Sequence, residues 1–193
     1  TALEASPYAD STRVIYTTDH GDNIGHRGMW GKSNMYEESA ALPLIIAGGD
    51  VPQGHVVDTP VSLVDCYPTL VTGAGLPLSE LELAELPGHS LIDIAKGATP
   101  ERTILSEYHA SSATTGFFMI RHGDYKYVHY VGAPPQLFDL AVDPHETRDL
   151  ALSADHVQVL AECEARLRTV LDPDAVNAQA FADQRAVVAQ HGG

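Results

Sequence analysis

Residues 15–32 read IYTTDHGDNIGHRGMWGK, an apolar run that stops on Asp19-His20-Gly21 and reaches a lone lysine, Lys32, across a glycine-rich loop. A carboxylate oxygen beside an imidazole nitrogen suits a divalent cation such as Mn²⁺ or Ca²⁺, although Ca²⁺ prefers oxygen ligands throughout. Two ligands do not complete a site, so further carboxylates must come from elsewhere. Gly21 would let the backbone turn tightly around the ion. A bound cation and an ammonium group together can offset the charge that builds on oxygen during hydrolysis of an anionic ester. The leaving group then needs a proton, and His26 and His109 qualify as donors by residue type. Trp30, beside the motif, and Glu107 and Tyr108, at a strand end, could receive the alcohol part of the substrate. A cationic group on the substrate would be held there by charge and cation–π contact. The ordinary alternative has Asp19 capping a turn, Lys32 as a solvated charge and Trp30 packed in the core.

The elements that must position these residues follow from periodicity. Residues 13–18 (RVIYTT) are β-branched and aromatic and apolar on both faces, as expected of a strand buried in a parallel or mixed sheet. Asp19 sits at its carboxyl end, where ligands bind in open α/β sheets. Residues 42–47 (LPLIIA) repeat the pattern and run into Gly48-Gly49. Residues 33–39 allow a helical turn or two. Val61, Leu63, Val64, Tyr67, Leu70 and Val71 recur at helical spacing, with Gly73 as a stop. Beyond residue 100 the pattern changes to a small antiparallel sheet. TILSEYHA is strand-like, FFMIR and YKYVHYV flank His122-Gly123-Asp124 as a hairpin, and QLFDL precedes a turn at Asp143-Pro144. Val157, Leu160, Cys163, Leu167, Val170 and Leu171 form one face of an amphipathic helix that Asp172-Pro173 ends. An alanine-rich helix over residues 174–190 follows, and it could also pack on a second copy of the chain. The expected organisation is thus an α/β portion over residues 1–100 and an antiparallel β subdomain with helices over 101–193.

Eleven basic against 26 acidic residues give a formal net charge of -15, which repels nucleic acid and anionic lipid surfaces. No run has the roughly 18–20 apolar residues of a membrane span, so neither nucleic acid nor a membrane is an expected partner. Two cysteines, Cys66 and Cys163, make no disulfide framework and leave the compartment open.

DHGDNIGHRGMWGK followed by MYEES and LPLIIAGG resembles the sulfatase branch of the alkaline phosphatase superfamily. DTPVSLVDCYPTLVTGAG, ILSEYHA, MIRHGDYKYVHY and QLFDLAVDPHETRDLA continue the likeness in the family's order, over residues 13 to about 150. The resemblance implies an α/β fold: the C-terminal part of an alkaline-phosphatase-like mixed sheet with flanking helices, then a small antiparallel sheet with helices. It implies a metal- and formylglycine-dependent hydrolase of small sulfate, phosphate or phosphonate esters. Asp19 and His20 fall on two metal ligands, and Lys32 on the lysine that contacts the sulfuryl or phosphoryl oxygens. Asp-His in place of the Asp-Asn of many arylsulfatases is similar to choline sulfatases and phosphonate monoester hydrolases.

The family's nucleophile is a Cys or Ser oxidised to formylglycine within C-x-P-x-R or S-x-P-x-R, and the chain contains neither motif. Cys66-Tyr67-Pro68-Thr69-Leu70 begins the pattern but has leucine in place of arginine. A cysteine inside an apolar helix pattern is a small hydrophobe, not a nucleophile. The chain therefore reads as the C-terminal part of a longer enzyme, inactive alone, or as a non-catalytic module on the same scaffold.

Overall fold

Two three-residue strands, β1 (Val14–Tyr16) and β2 (Ile45–Ala47), pair antiparallel with Ile15 opposite Ile46. The computed structural model describes residues 1–76, 79, 85–98, 101–110 and 113–192. The chain divides into two compact units, residues 1–20 with 42–101 and residues 21–41 with 102–193. Residues 99 and 100, where the sequence pattern changes, lie outside the described residues.

In the first unit, Gly48 (φ 91°) turns the chain out of β2, and its α-carbon comes so close to the Thr12 carbonyl that no side chain would fit. Arg13 then holds the turn. Its Nε and Nη2 donate to Asp50 Oδ1 at 3.1 and 2.7 Å, its Nη1 donates to the Gly73 carbonyl at 2.8 Å, and Lys96 joins on the other Asp50 oxygen. The expected burial of these strands is not observed: Val14, Tyr16 and Ile45 are exposed. With only two strands paired, nothing in the described structure covers their outer faces.

The helix expected over 61–71 is a 3₁₀ turn, Leu63–Asp65, running into α2 (Cys66–Gly73), with Ser62 and Asp65 forming a reciprocal capping box. Its inward face differs from the one the apolar spacing suggests. Asp65, Pro68 and Thr69 are buried, whereas Leu63, Val64, Tyr67 and Leu70 are exposed. Polar bonding decides this: Asp65 Oδ1 accepts from the His89 amide and Thr69 Oγ1 from the Leu91 amide, both at 2.8 Å. These bonds dock α3 (Leu91–Ala95), which buries Leu91, Ile92 and Ile94.

The second unit is built on a four-stranded antiparallel sheet in chain order: β3 (Thr103–Tyr108), β4 (Phe117–His122), β5 (Tyr125–Tyr130) and β6 (Gln136–Asp139). Gly123, in the left-handed region at φ 56°, makes the tight turn between β4 and β5. Side chains alternate between the two faces. On one face Phe118, Ile120, Tyr127 and Leu137 pack with Leu150 and with Cys163 and Leu167 of α4 (Val157–Val170). On the other, Phe117, Met119 and Val128 pack with Met35 from the 21–41 segment. That segment contains α1 (Glu37–Ala40), a single turn that begins later than the expected residues 33–39. α5 (Pro173–His191) begins with the Asp172 carboxylate accepting from the Asp174 and Ala175 amides and Pro173 in the first turn. Among the described residues no helix is long and apolar enough to cross a membrane.

Candidate active site

β1 runs through Thr17 and Thr18 to Asp19 and His20, and both of these side chains reach solvent. His20 Nε2 lies 3.5 Å from Asp19 Oδ2, so an imidazole nitrogen and a carboxylate oxygen share one small volume. The Thr18 hydroxyl lies 3.3 Å from Asp19 Oδ1 and 3.2 Å from the His20 carbonyl, fixing the turn that presents the pair. This is a donor pair a divalent cation would accept, and it would supply two ligands. Among the described residues no group of three or more His, Cys, Asp or Glu side chains gathers to hold a metal. Gly21 has a different role from the one its sequence position suggests. Its φ is not left-handed; its amide donates to the Ser39 carbonyl at 2.9 Å, and a Cβ there would collide with the Glu38 carbonyl.

Lys32 is exposed at the edge of a closed loop in the second unit. Asn23, fully buried, organises that loop: its backbone amide donates to the Gly31 carbonyl at 2.9 Å, and its side-chain amide donates to the same carbonyl and to Ser39 Oγ. Asp22 Oδ1 accepts from the Ile24 and Gly31 amides at 2.9 and 3.2 Å. Trp30 is 79% exposed, so the alternative that packs it in the core does not hold. Its ring instead lies beside Gly25 of the same loop. His26 is paired with Glu38 through Nδ1. Burial works to raise the Glu38 carboxyl, but its own backbone amide and the charges of Arg27 and His26 outweigh that and hold it below its ordinary value.

The sheet sorts the remaining candidates. Tyr108 ends β3 on the face covered by the 21–41 segment, stacks on Phe117 at 5.1 Å, and its hydroxyl lies 2.9 Å from Ser33 Oγ, next to Lys32. Glu107 and His109 point to the opposite face, because neighbouring strand residues alternate. There His109 meets Phe118 edge-on at 5.0 Å, and Glu107 Oε2 lies 3.6 Å from its Nε2. The fold therefore brings Tyr108 and Trp30 to the Lys32 loop, and it does not bring Glu107 or His109 there.

Neither thiol is a nucleophile by environment. Burial and the neighbouring Asp65 charge push Cys66 above its ordinary value, and burial does the same to Cys163. Arg27, Ser33, Glu37, Lys126 and Glu146 were not singled out by sequence reasoning although they hold the loop. The one available signal was Lys126, a charge standing inside the apolar strand YKYV.

A family model for the C-terminal region of N-sulphoglucosamine sulphohydrolase matches residues 25–172. Arylsulfatase K of Danio rerio is 36% identical over 185 residues, which is 91% of this chain and 34% of that protein. Choline-sulfatase of Rhizobium meliloti (strain 1021) is 41% identical over 143 residues, 74% of this chain and 27% of its own length. The solved phosphonate monoester hydrolase of Agrobacterium radiobacter superposes with a TM-score of 0.73 at 29% identity, over 87% of this chain and 36% of that one. This chain belongs to the sulfatase family of the alkaline phosphatase superfamily. It spans about a third of the length of the curated relatives it matches.

Proposed function

We propose that this chain supplies metal ligands and an anion-binding lysine to a formylglycine-dependent sulfuric ester hydrolase. The observation that carries the reading is the exposed Lys32, presented by a hydrogen-bonded loop inside the region the sulfatase family model matches. Asp19 and His20 would hold a divalent cation, Ca²⁺ or Mn²⁺, whose bound charge would offset that of the ester oxygens and keep the nucleophile ionised. Lys32 binds a sulfuryl oxygen as a point charge, which counts for more as charge builds in the transition state. His26 is the candidate proton donor to the leaving alkoxide, with Glu38 orienting its ring. Trp30 and Tyr108 contact the alcohol part, and the exposed indole face of Trp30 suits a cationic alcohol such as choline, in keeping with the choline-sulfatase among the relatives. The chain has no C-x-P-x-R or S-x-P-x-R, so the formylglycine would come from sequence outside these 193 residues.

The test is hydrolysis of choline sulfate and of an uncharged aryl sulfate by a polypeptide that joins this chain to a matured formylglycine segment. Lys32→Ala should lower kcat/KM by about 10²–10³-fold while the fold is retained. Asp19→Asn should lower bound metal as well as rate, read by elemental analysis. Unchanged turnover in Lys32→Ala, or metal-dependent turnover by the 193-residue chain alone, overturns the reading. A second reading, a phosphonate or phosphate diester hydrolase, is favoured by the match to phosphonate monoester hydrolase. Assaying a phosphonate monoester beside the sulfates separates the two.

A further inference from the structure

Lys126 is fully buried in β5, between Phe138 of β6 and Arg121 of β4, and next to Tyr127 and Val128, which are also buried. A lone ammonium there would be strongly disfavoured, because no water solvates it and its cross-strand neighbours are a phenyl ring and a second cation, Arg121. Two carboxylates answer it: Glu37 Oε1 at 2.8 Å and Glu146 Oε1 at 2.7 Å. The second Glu146 oxygen accepts from the Glu37 backbone amide at 2.7 Å. Burial pushes the Glu146 carboxyl above its ordinary value, and Lys126 pulls against that.

The same acidic residue is tied to the loop a second time. The Glu146 carbonyl accepts from Arg27 Nη1 at 3.0 Å, and the His145 carbonyl accepts from Arg27 Nη2. The Arg27 guanidinium lies over the Tyr36 ring at 4.2 Å, with Nε 3.5 Å from Glu38 Oε2. Arg27 and Glu146 are also two of the three non-glycine residues with positive φ among those described, at 55° and 49°. Such conformations persist only where surrounding bonds over-determine them.

In chain order the two anchors, Arg27 and Glu37, bracket Lys32. We infer that Lys126, Glu146 and Arg27 are positioning residues: a buried charge cluster that fixes the Lys32-bearing loop onto the four-stranded sheet from both sides. This rests on the reading of Lys32 as the lysine that binds substrate oxygens, and it gives a role to a buried cation that binding and hydrolysis do not otherwise use. A point charge must be held close to its target oxygen, since a displacement of about 1 Å can cost on the order of 10²-fold in rate.

The experiment uses the 193-residue chain and needs no ester. Amide hydrogen exchange would be compared in wild type, Lys126→Met, Glu146→Gln and Arg27→Met, together with the fluorescence anisotropy decay of Trp30, the single tryptophan. In the variants, exchange of the Asn23, Met29 and Gly31 amides should rise at least about tenfold and Trp30 should gain a fast depolarisation component. The β4–β5 amides should stay within about threefold of wild type. Arg27→Met touches only the loop side of the cluster, so it remains informative if a buried-charge variant does not fold. Wild-type exchange of residues 23–31 in folded Glu146→Gln and Arg27→Met overturns the inference. An equal rise across loop and sheet also overturns it, since that marks general stabilisation. Lys32→Met serves as the control: it should leave loop exchange unchanged. If it also leaves turnover of the matured hydrolase unchanged, the functional reading fails while the exchange result on the cluster stands.

Discussion

An ammonium group can stabilise a transferring oxygen only if its backbone is held still, and a carboxylate can stabilise a fold only if a partner meets it. Asp50 shows the second condition in the first unit. Hydrogen bonds from Lys96, then from Arg13, hold its carboxyl far below the ordinary value of 3.8. The folded state therefore binds this proton less readily than the unfolded chain. The stability it contributes is present above pH 3.8 and is lost as pH falls from there through the lower folded value. In Asp50→Asn the denaturation midpoint should change less between pH 5 and pH 2 than in wild type, read by urea titrations followed by circular dichroism. The same acid-side loss in both proteins would show that Asp50 does not link the turn to Arg13 and Lys96. The two thiols follow the same logic in reverse: burial keeps them protonated, which suits core packing and not attack on an ester.

At the scale of elements, strand alternation decides which candidates share a site. Tyr108 and Glu107 are neighbours in sequence, yet one faces Ser33 and the Lys32 loop while the other faces the α4 side of the sheet. The loop itself closes where Gly21 meets Ser39, and that closure leaves room only for hydrogen. Gly21→Ala should force the backbone apart there, costing about 1–3 kcal/mol as overpacking does elsewhere. The urea midpoint should fall, and exchange of the Asn23 amide should rise with it. A midpoint within error of wild type would mean that the Glu38 carbonyl can move aside. Because Gly21 follows His20 directly, the same substitution tests whether loop closure fixes the end of the proposed metal-ligand pair.

For the whole molecule, apolar burial is uneven. The four-stranded sheet is covered on both faces, by α4 and by the 21–41 segment. The first unit leaves Val14, Tyr16, Ile45, Leu63, Tyr67 and Leu70 in solvent. A net charge of -15 opposes self-association at low ionic strength, and salt screens it. The isolated chain should therefore bind a hydrophobic dye, and its sedimentation coefficient should rise with concentration more steeply in about 0.3 M salt than in about 0.01 M. A monomer that binds no dye at either salt concentration would mean that these faces are covered in solution.

Much of this protein is legible in the order of its residues. The hairpin around Gly123, the strand QLFDL and the two C-terminal helices all depend on neighbours within a few positions. Local spacing and turn chemistry specify such features. The sequence also pointed to the sulfatase family and argued against Cys66 as a nucleophile. Tertiary structure decided what depends on distant partners: that residues 21–41 pack on the C-terminal sheet, that α2 turns Asp65 and Thr69 inward, and that Trp30 lies outside the core. It alone brought Lys126 to Glu37 and Glu146, and Arg27 to the carbonyls of His145 and Glu146. No periodicity encodes those pairs, because a buried charge finds its partner by the geometry of the packed sheet, and the chain between them can be of any length.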